Sequence, residues 1–99
     1  MNTGIIYSHL IVAQDMAIQN RPARARMELT GAIKELRPRY KESAEVRKIF
    51  ISISMIKNTI REFWHVRKNR DAIIEALECA IGLVGIMLHK EHVEGLKHA

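Results

Sequence analysis

The sequence predicts an all-α fold, a single four-helix domain built from two helical hairpins. Apolar residues recur every three or four positions in four stretches, and period-two alternation appears only at 49–55, inside a longer helical pattern. The 99 residues contain no repeat or Gly/Ser-rich linker, which indicates one domain over 1–99. A chain this short buries only a small core, so we expect a homodimer.

The first helix is expected over residues 5–19, with Asn2 or Thr3 as its cap. Its apolar residues fall one turn apart on a single face, which would be buried. They are Ile6, Leu10, Ala13 and Ala17.

The second helix is expected over residues 22–36. Asn20 and Arg21 precede Pro22, whose fixed φ suits the first turn of a helix. A proline at position 38 should end the helix by moving residue 37 out of the helical region. The predicted buried stripe comprises Ala25, Leu29, Ala32, Ile33 and Leu36.

The third helix is expected over residues 44–68, with Ser43 as its cap and no Pro or Gly in its interior. Its apolar residues follow a heptad seam, which calls for a long partner helix. The seam consists of Val46, Ile49, Ile53, Ile56, Ile60 and Phe63.

The fourth helix is expected over residues 71–90, capped by Asp71 and followed by a polar tail over residues 91–99. It keeps the same spacing of three and four, so it should form a long antiparallel pair with the third helix. The expected seam is Ile74, Leu77, Ile81, Val84 and Leu88.

A second face of the fourth helix is predicted to form the dimer interface. Glycine destabilises a helix interior by about 1 kcal/mol relative to alanine unless it permits a close approach, and this helix is apolar nearly all round. The residues expected to contact a second copy are Cys79, Gly82, Gly85 and Ile86.

A cytoplasmic location is expected. The single Cys79 excludes a disulfide framework within the chain, and it lies in an apolar stretch that favours an inert thiol. The longest uncharged apolar run, residues 79–88, is shorter than the roughly 20 residues of a membrane span. No Lys or Arg precedes Arg21, so the basic start of a secretory signal is missing.

The charge of the chain is concentrated in its middle. Of 16 Lys and Arg, 14 lie in residues 21–70 with five acidic residues, so the net charge of +5 conceals a strongly basic segment. Such a field attracts nucleic acid or an acidic protein surface. The predicted partner-binding residues are Arg21, Arg24, Arg26, Arg37, Arg39, Lys41, Arg47, Lys48, Lys57, Arg61, Trp64 and Lys68.

Two interpretations of Trp64 stay open. Lys57, Arg61, Trp64 and Lys68 share one face of the predicted third helix, where cations around an aromatic ring would suit a binding surface. The ring also adjoins the apolar seam, so it could be half-buried core with lysine and arginine stems covering its rim.

No metal or cofactor site is predicted. Glu62 and His65 have the spacing of a di-iron ligand pair, but they point away from the seam. His89, His92 and His98 lie in or near a polar tail that favours solvated side chains. No nucleophile motif, phosphate-binding loop or dinucleotide fingerprint occurs, so we do not expect an enzyme.

Three functions are compatible with these features. The favoured one is a small basic helical protein that binds and regulates or inhibits a larger partner, a protein with an acidic or nucleic-acid-binding surface, as is common among bacterial and phage regulators. The second is weakly specific DNA or RNA binding by a dimer. The third is a structural oligomerisation domain.

Overall fold

The chain folds into a four-helix bundle. The computed structural model describes the backbone of residues 2–98 and the side chains of residues 2–97. The helices are α1 (Thr3–Ile18), α2 (Pro22–Leu36), α3 (Ala44–Phe63) and α4 (Arg67–His98). Each packs against two neighbours, in the cyclic order α1, α2, α3, α4. The predicted all-α single domain with four helices is confirmed, and dimerisation stays a prediction.

The core lies on the bundle axis and draws on all four helices. The buried stripes predicted for α1 and α2 are confirmed in full. The stripe of α3 is confirmed from Val46 to Ile60, whereas Phe63 is 48% exposed at the end of the helix. Thr3 is the one buried polar residue within the described part of the chain.

The turn between α1 and α2 depends on Asn20. This residue has a φ of 60°, and the amide of the following Arg21 donates to the Met16 carbonyl at 2.8 Å. These are the features of a Schellman motif, in which Asn is the commonest alternative to glycine. Asn20 therefore ends α1 and does not cap α2, whose N-cap is Arg21 with no side-chain hydrogen bond.

The expected effect of Pro38 on the preceding residue is wrong. Arg37 keeps helical angles, φ −53° and ψ −47°. The chain continues from α2 into a 3-10 helix, Arg37–Arg39, which accommodates a proline near its start because the first amides of a helix need no internal acceptor. The proline ends α2 by changing the type of helix.

The boundary between α3 and α4 lies earlier than the sequence predicts. Helix α3 ends at Phe63 and not at residue 68, and α4 begins at Arg67, so Asp71 is inside α4 and does not cap it. The Nε of Arg70 donates to the Trp64 carbonyl at 2.6 Å and closes this turn. That contact joins α4 to the turn before it, and helical spacing gives no sign of it.

Helix α4 also continues further than predicted. Residues 91–98, expected as a polar tail, are helical, and residue 99 lies outside the described residues. Glu91 accepts hydrogen bonds from Thr3 at 2.8 Å and from Arg39 at 3.1 Å, which attaches this part of α4 to the rest of the bundle. At 32 residues, α4 is about 48 Å long and matches the longest dimension of the molecule.

The buried seam of α4 is rotated from the predicted one. Leu77 and Val84 are buried as expected, but the remaining buried positions are Ile73, Ala80 and Met87. The predicted Ile74, Ile81 and Leu88 are half-buried. The predicted seam lies towards α1, since the Ile74 carbonyl accepts from Gln14 and Gly85 borders Tyr7. The buried Ile73 and Ala80 also line the groove between α3 and α4, so the most buried line of α4 is turned from α1 towards α3.

By length and composition, α4 is apolar enough to cross a membrane. An 18-residue window within Arg67–Lys97 passes this test, and 28% of it is buried in the bundle. Core helices of helical bundles pass the same test, and α4 contributes five residues to this core.

Candidate functional site

The most distinctive surface of the molecule lies between α2 and α3. Three adjoining grooves run along it, from the two turns at one end of the bundle to the 3-10 helix at the other. No described residue that lines them is acidic. We call the seven Lys and Arg residues in their walls the basic strip: Arg26, Lys34, Arg37, Lys41, Lys57, Arg61 and Arg70.

Helical geometry explains why the strip is continuous. Arg26 and Thr30 are one turn apart on α2, and Lys57 and Arg61 are one turn apart on α3. The Thr30 hydroxyl donates to the Arg26 carbonyl at 2.9 Å, so the wall between two grooves is a regular helical turn. The α2 wall spans about 22 Å, the length of a 15-residue helix.

The largest of the three grooves, about 610 Å³, lies at the turn end of the bundle. The half-buried Trp64 forms part of its wall, and the indole N–H donates to the Asn20 side-chain oxygen at 2.9 Å. The Arg70 guanidinium lies 5.5 Å from the centre of the indole ring, within cation–π range. Trp64 therefore fastens the two turns together and also presents part of its ring to the groove.

Arg26 has an unusual environment in this groove. Its Nε is buried and has no hydrogen-bond partner among the described residues. An unpaired buried donor is destabilising by about 1–3 kcal/mol unless something satisfies it. Arg61 and Arg70 line the same groove, so this end of the strip concentrates positive charge around an unused donor. An anionic oxygen bound in this groove would accept a hydrogen bond from the Arg26 Nε and would offset the positive charge of Arg61 and Arg70.

The opposite end of the strip has an aromatic wall. Tyr40 and Phe50 pack edge to face with ring centres 5.2 Å apart. They line a groove together with Arg37 and Lys41. A cavity with aromatic and aliphatic walls and cations at its rim is typical of a surface that receives side chains of another protein.

Arg39 is a predicted partner-binding residue, but its guanidinium bonds to other residues of the same chain. Its side chain is only 11% exposed, and its guanidinium donates to Asn2 and Thr3, each at 2.8 Å, as well as to Glu42 and Glu91. The hydrogen bonds from Arg39 lower the pKa of the Glu42 carboxyl below its ordinary value. We call this set of contacts the Arg39 cluster.

The single face predicted for four residues of the long helix does not exist. Lys57 and Arg61 lie on α3, but Trp64 is in the turn and Lys68 is on α4. Arg61 also lies 3.3 Å from the adjacent Glu62 carboxylate, in an exposed ion pair of little energetic weight.

The structure thus brings half of the predicted partner-binding residues together. Trp64 and five of the predicted cations line the grooves: Arg26, Arg37, Lys41, Lys57 and Arg61. The others, apart from Arg39, line none of them: Arg21, Arg24, Arg47, Lys48 and Lys68.

Three further Lys, Arg or His residues of the grooves are not among the predicted partner-binding residues: Lys34, His65 and Arg70. Lys34 near the end of α2 and Arg37 at the start of the 3-10 helix are three apart in continuous helical backbone, a spacing that indicates a shared face. Arg70 comes from α4 and reaches the α2/α3 side only through the turn, so no local spacing could have identified it.

The predicted dimer residues lie on the outside of α4. Cys79 and Gly82 are exposed, and a Cβ placed on Gly82 would meet nothing within 4 Å. Gly85 borders α1, since its Cβ position lies 3.5 Å from the Tyr7 ring. Ile86 is 54% exposed. Within one copy of the chain, no residue that the structure describes packs tightly on Gly82.

The candidate metal ligands are dispersed. Among the residues searched, no three His, Cys, Asp or Glu side chains come together in an arrangement that could hold a metal ion. Glu62 and His65 are both exposed, as are His89 and His92 on α4. The side chain of His98 lies outside the described residues.

Comparison with known proteins gives no relative from which a function could be inferred, so a functional proposal has to come from the residues of this chain. No protein-family model, curated protein or solved structure gives a significant match to this sequence or fold.

Proposed function

We propose that the protein is a non-enzymatic binding protein whose basic strip docks on an acidic surface of a larger protein and thereby regulates or inhibits it. The observation that carries this proposal is the set of three adjoining grooves with seven Lys and Arg residues and no described acidic residue. Such a strip speeds the encounter with an anionic partner and fixes its orientation.

The walls of the grooves favour a protein as the partner. Trp64 and Ile60 lie beside Arg26 in the largest groove, and Tyr40 lies in the groove at the far end. Trp, Tyr and Arg are the residue types that most often dominate the energy of protein interfaces. The grooves supply concave apolar surface between the cations, which suits protruding side chains better than a uniform sugar-phosphate backbone.

The test is a charge reversal with a matched control. In the variant Lys57→Glu with Arg61→Glu, two cations at the centre of the strip become acids, so capture of the partner from host extract should be lost. The control, Lys48→Glu with Lys97→Glu, makes the same change of net charge at exposed positions outside the grooves and should bind normally. If both variants lose the partner equally, overall charge explains binding and the strip does not.

Nucleic acid is the second candidate partner. Additional exposed cations, Arg21, Arg24, Arg67 and Lys68, belong to the turn end of the bundle or the helices that start there. Together with the strip they would follow a phosphate backbone. Binding to a generic DNA duplex, with affinity that falls steeply as salt rises and is lost in the strip variant alone, would favour this candidate over the first.

A further inference from the structure

We infer that a second copy of this chain docks against the α3/α4 face, with the two α4 helices antiparallel and crossing near Gly82 and Leu83. This face is separate from the basic strip and borders an apolar groove of about 480 Å³ between α3 and α4. The inference rests on three properties of the face: its apolar exposure, its distribution of side-chain size and its distribution of charge.

The face exposes apolar side chains that a single copy leaves uncovered. Met55 on α3 is 64% exposed, and Leu83 and Ile86 on α4 are 38% and 54% exposed. Few carboxylates or cations interrupt them, since the described lining of the groove contains no charged residue. A contiguous apolar surface of this kind usually marks a site of association.

Side-chain size changes along α4 on this face. Towards the N-terminus the groove is lined by the small Ala72, Ala76 and Cys79, whereas Leu83 and Ile86 project further along. In an antiparallel pair centred between residues 82 and 83, Ile86 of one copy lies opposite Cys79 of the other. A twofold axis between the two copies repeats this contact, so a large side chain lies opposite a small one at each end of the interface.

The distribution of charged residues along α4 also favours an antiparallel pair. Glu75 is exposed and forms no ion pair with any described residue. In the antiparallel pair it lies opposite Lys90 of the second copy, which in one copy has only a 3.6 Å contact with the exposed Glu45. A parallel pair would instead place Glu75 against Glu75 and Lys90 against Lys90, which repel.

The surface that a dimer requires is a small part of what one copy exposes. A stable dimer buries about 800 Å² per partner, roughly one-eighth of the 6468 Å² that one copy exposes. The stretch of α4 from Glu75 to Lys90 is about 22 Å long, and α3 widens the contact with Met55. The predicted interface residues Cys79, Gly82 and Ile86 belong to this contact or its edge, whereas Gly85 faces α1.

The experiment measures molar mass by light scattering, together with helical content. The wild type should show twice its chain mass of 11.4 kDa. Ile86→Glu should be monomeric yet fully helical, because the side chain is largely exposed in one copy. Ile5→Glu is the matched control: Ile5 is 51% exposed on α1, which takes no part in the face, and this variant should stay dimeric.

The direction of the pair is tested by cross-linking in a Cys79→Ser background. Leu83→Cys should form a disulfide between copies under oxidation, and Glu78→Cys, on the outer side of α4, should not. When Glu75→Cys and Lys90→Cys proteins are mixed, the antiparallel arrangement predicts cross-links between the two variants and few within either one.

Three outcomes would overturn the inference. They are a monomeric wild type up to millimolar concentration, a dimer that survives Ile86→Glu, and cross-linking of Glu75→Cys to itself. The hydropathy of α4 suggests a lipid surface as the competing occupant. A wild type that is monomeric in buffer and binds phosphatidylcholine/phosphatidylglycerol vesicles through Ile86 would establish that occupant and refute the dimer.

Discussion

At the scale of single residues, the contact between Gly31 and His9 explains a glycine that helix propensity alone disfavours. A Cβ at Gly31 would lie 2.6 Å from the His9 ring, closer than such atoms approach in real proteins. The ring is held there by its Nδ1, which lies 2.7 Å from a Glu28 carboxylate oxygen. Gly31 thus makes room for a polar contact between α1 and α2.

The first prediction is a double-mutant cycle at this contact. Gly31→Ala in the wild type should give no gain in the free energy of unfolding, because the new methyl group displaces the His9 ring. In a His9→Ala background the same change should stabilise the protein by up to about 1 kcal/mol, the ordinary difference in helix propensity. Urea denaturation of the four proteins measures the cycle, and equal effects in both backgrounds would contradict this explanation.

At the scale of the helices, the buried seam of α3 can be predicted from the sequence as far as Ile60. Five isoleucine and valine positions at a spacing of three and four predict one buried line, and the structure buries all five. Ser43 was also identifiable, and its hydroxyl accepts the Val46 amide at 3.1 Å as a cap should. Local rules suffice here because both signals lie within one helix.

Features that depend on two helices could not be predicted in this way. The turn after Phe63 is stabilised by Trp64 bonding to Asn20, 44 positions away in the chain. The most buried line of α4 lies between its neighbours α1 and α3, and helical spacing alone does not give the positions of neighbouring helices. Five of the seven cations of the basic strip are among the predicted residues, but their grouping depends on the positions of three helices and could not be predicted.

A second prediction concerns adjacent residues of α3. Ile56→Asp should unfold the protein or destabilise it by more than about 3 kcal/mol, because an unpaired charge would enter the core. Met55→Asp places the same group one position away, where the side chain faces solvent in one copy, so helicity should be retained. Circular dichroism during thermal unfolding compares the two, and similar melting temperatures would show that Ile56 is not part of the core.

At the scale of the whole molecule, the Arg39 cluster holds together the end of the bundle opposite the largest groove of the basic strip. The Arg39 guanidinium contacts the start of α1 at Thr3, the connection after the 3-10 helix at Glu42, and α4 at Glu91. Residues from three parts of the chain therefore depend on one cation, which the fold shields from solvent.

The third prediction follows from this cluster. Arg39→Ala should lower the free energy of unfolding by about 2 kcal/mol, since several charge-assisted hydrogen bonds are lost and Thr3 stays buried. Arg37→Ala removes an exposed cation two positions away and should change it by less than about 0.5 kcal/mol. Chemical denaturation measures both variants. Equal stability would mean that the cluster contributes nothing to the fold.

The position of Trp64 has a practical consequence. It is the only tryptophan in the chain, and its ring borders the largest groove of the basic strip while its N–H bonds across the turns. Its fluorescence therefore reports two events without any label. Unfolding exposes the indole to water, whereas a ligand in the groove changes its surroundings while the helices stay intact. One optical signal, read beside helical content, separates occupancy of the strip from loss of the fold.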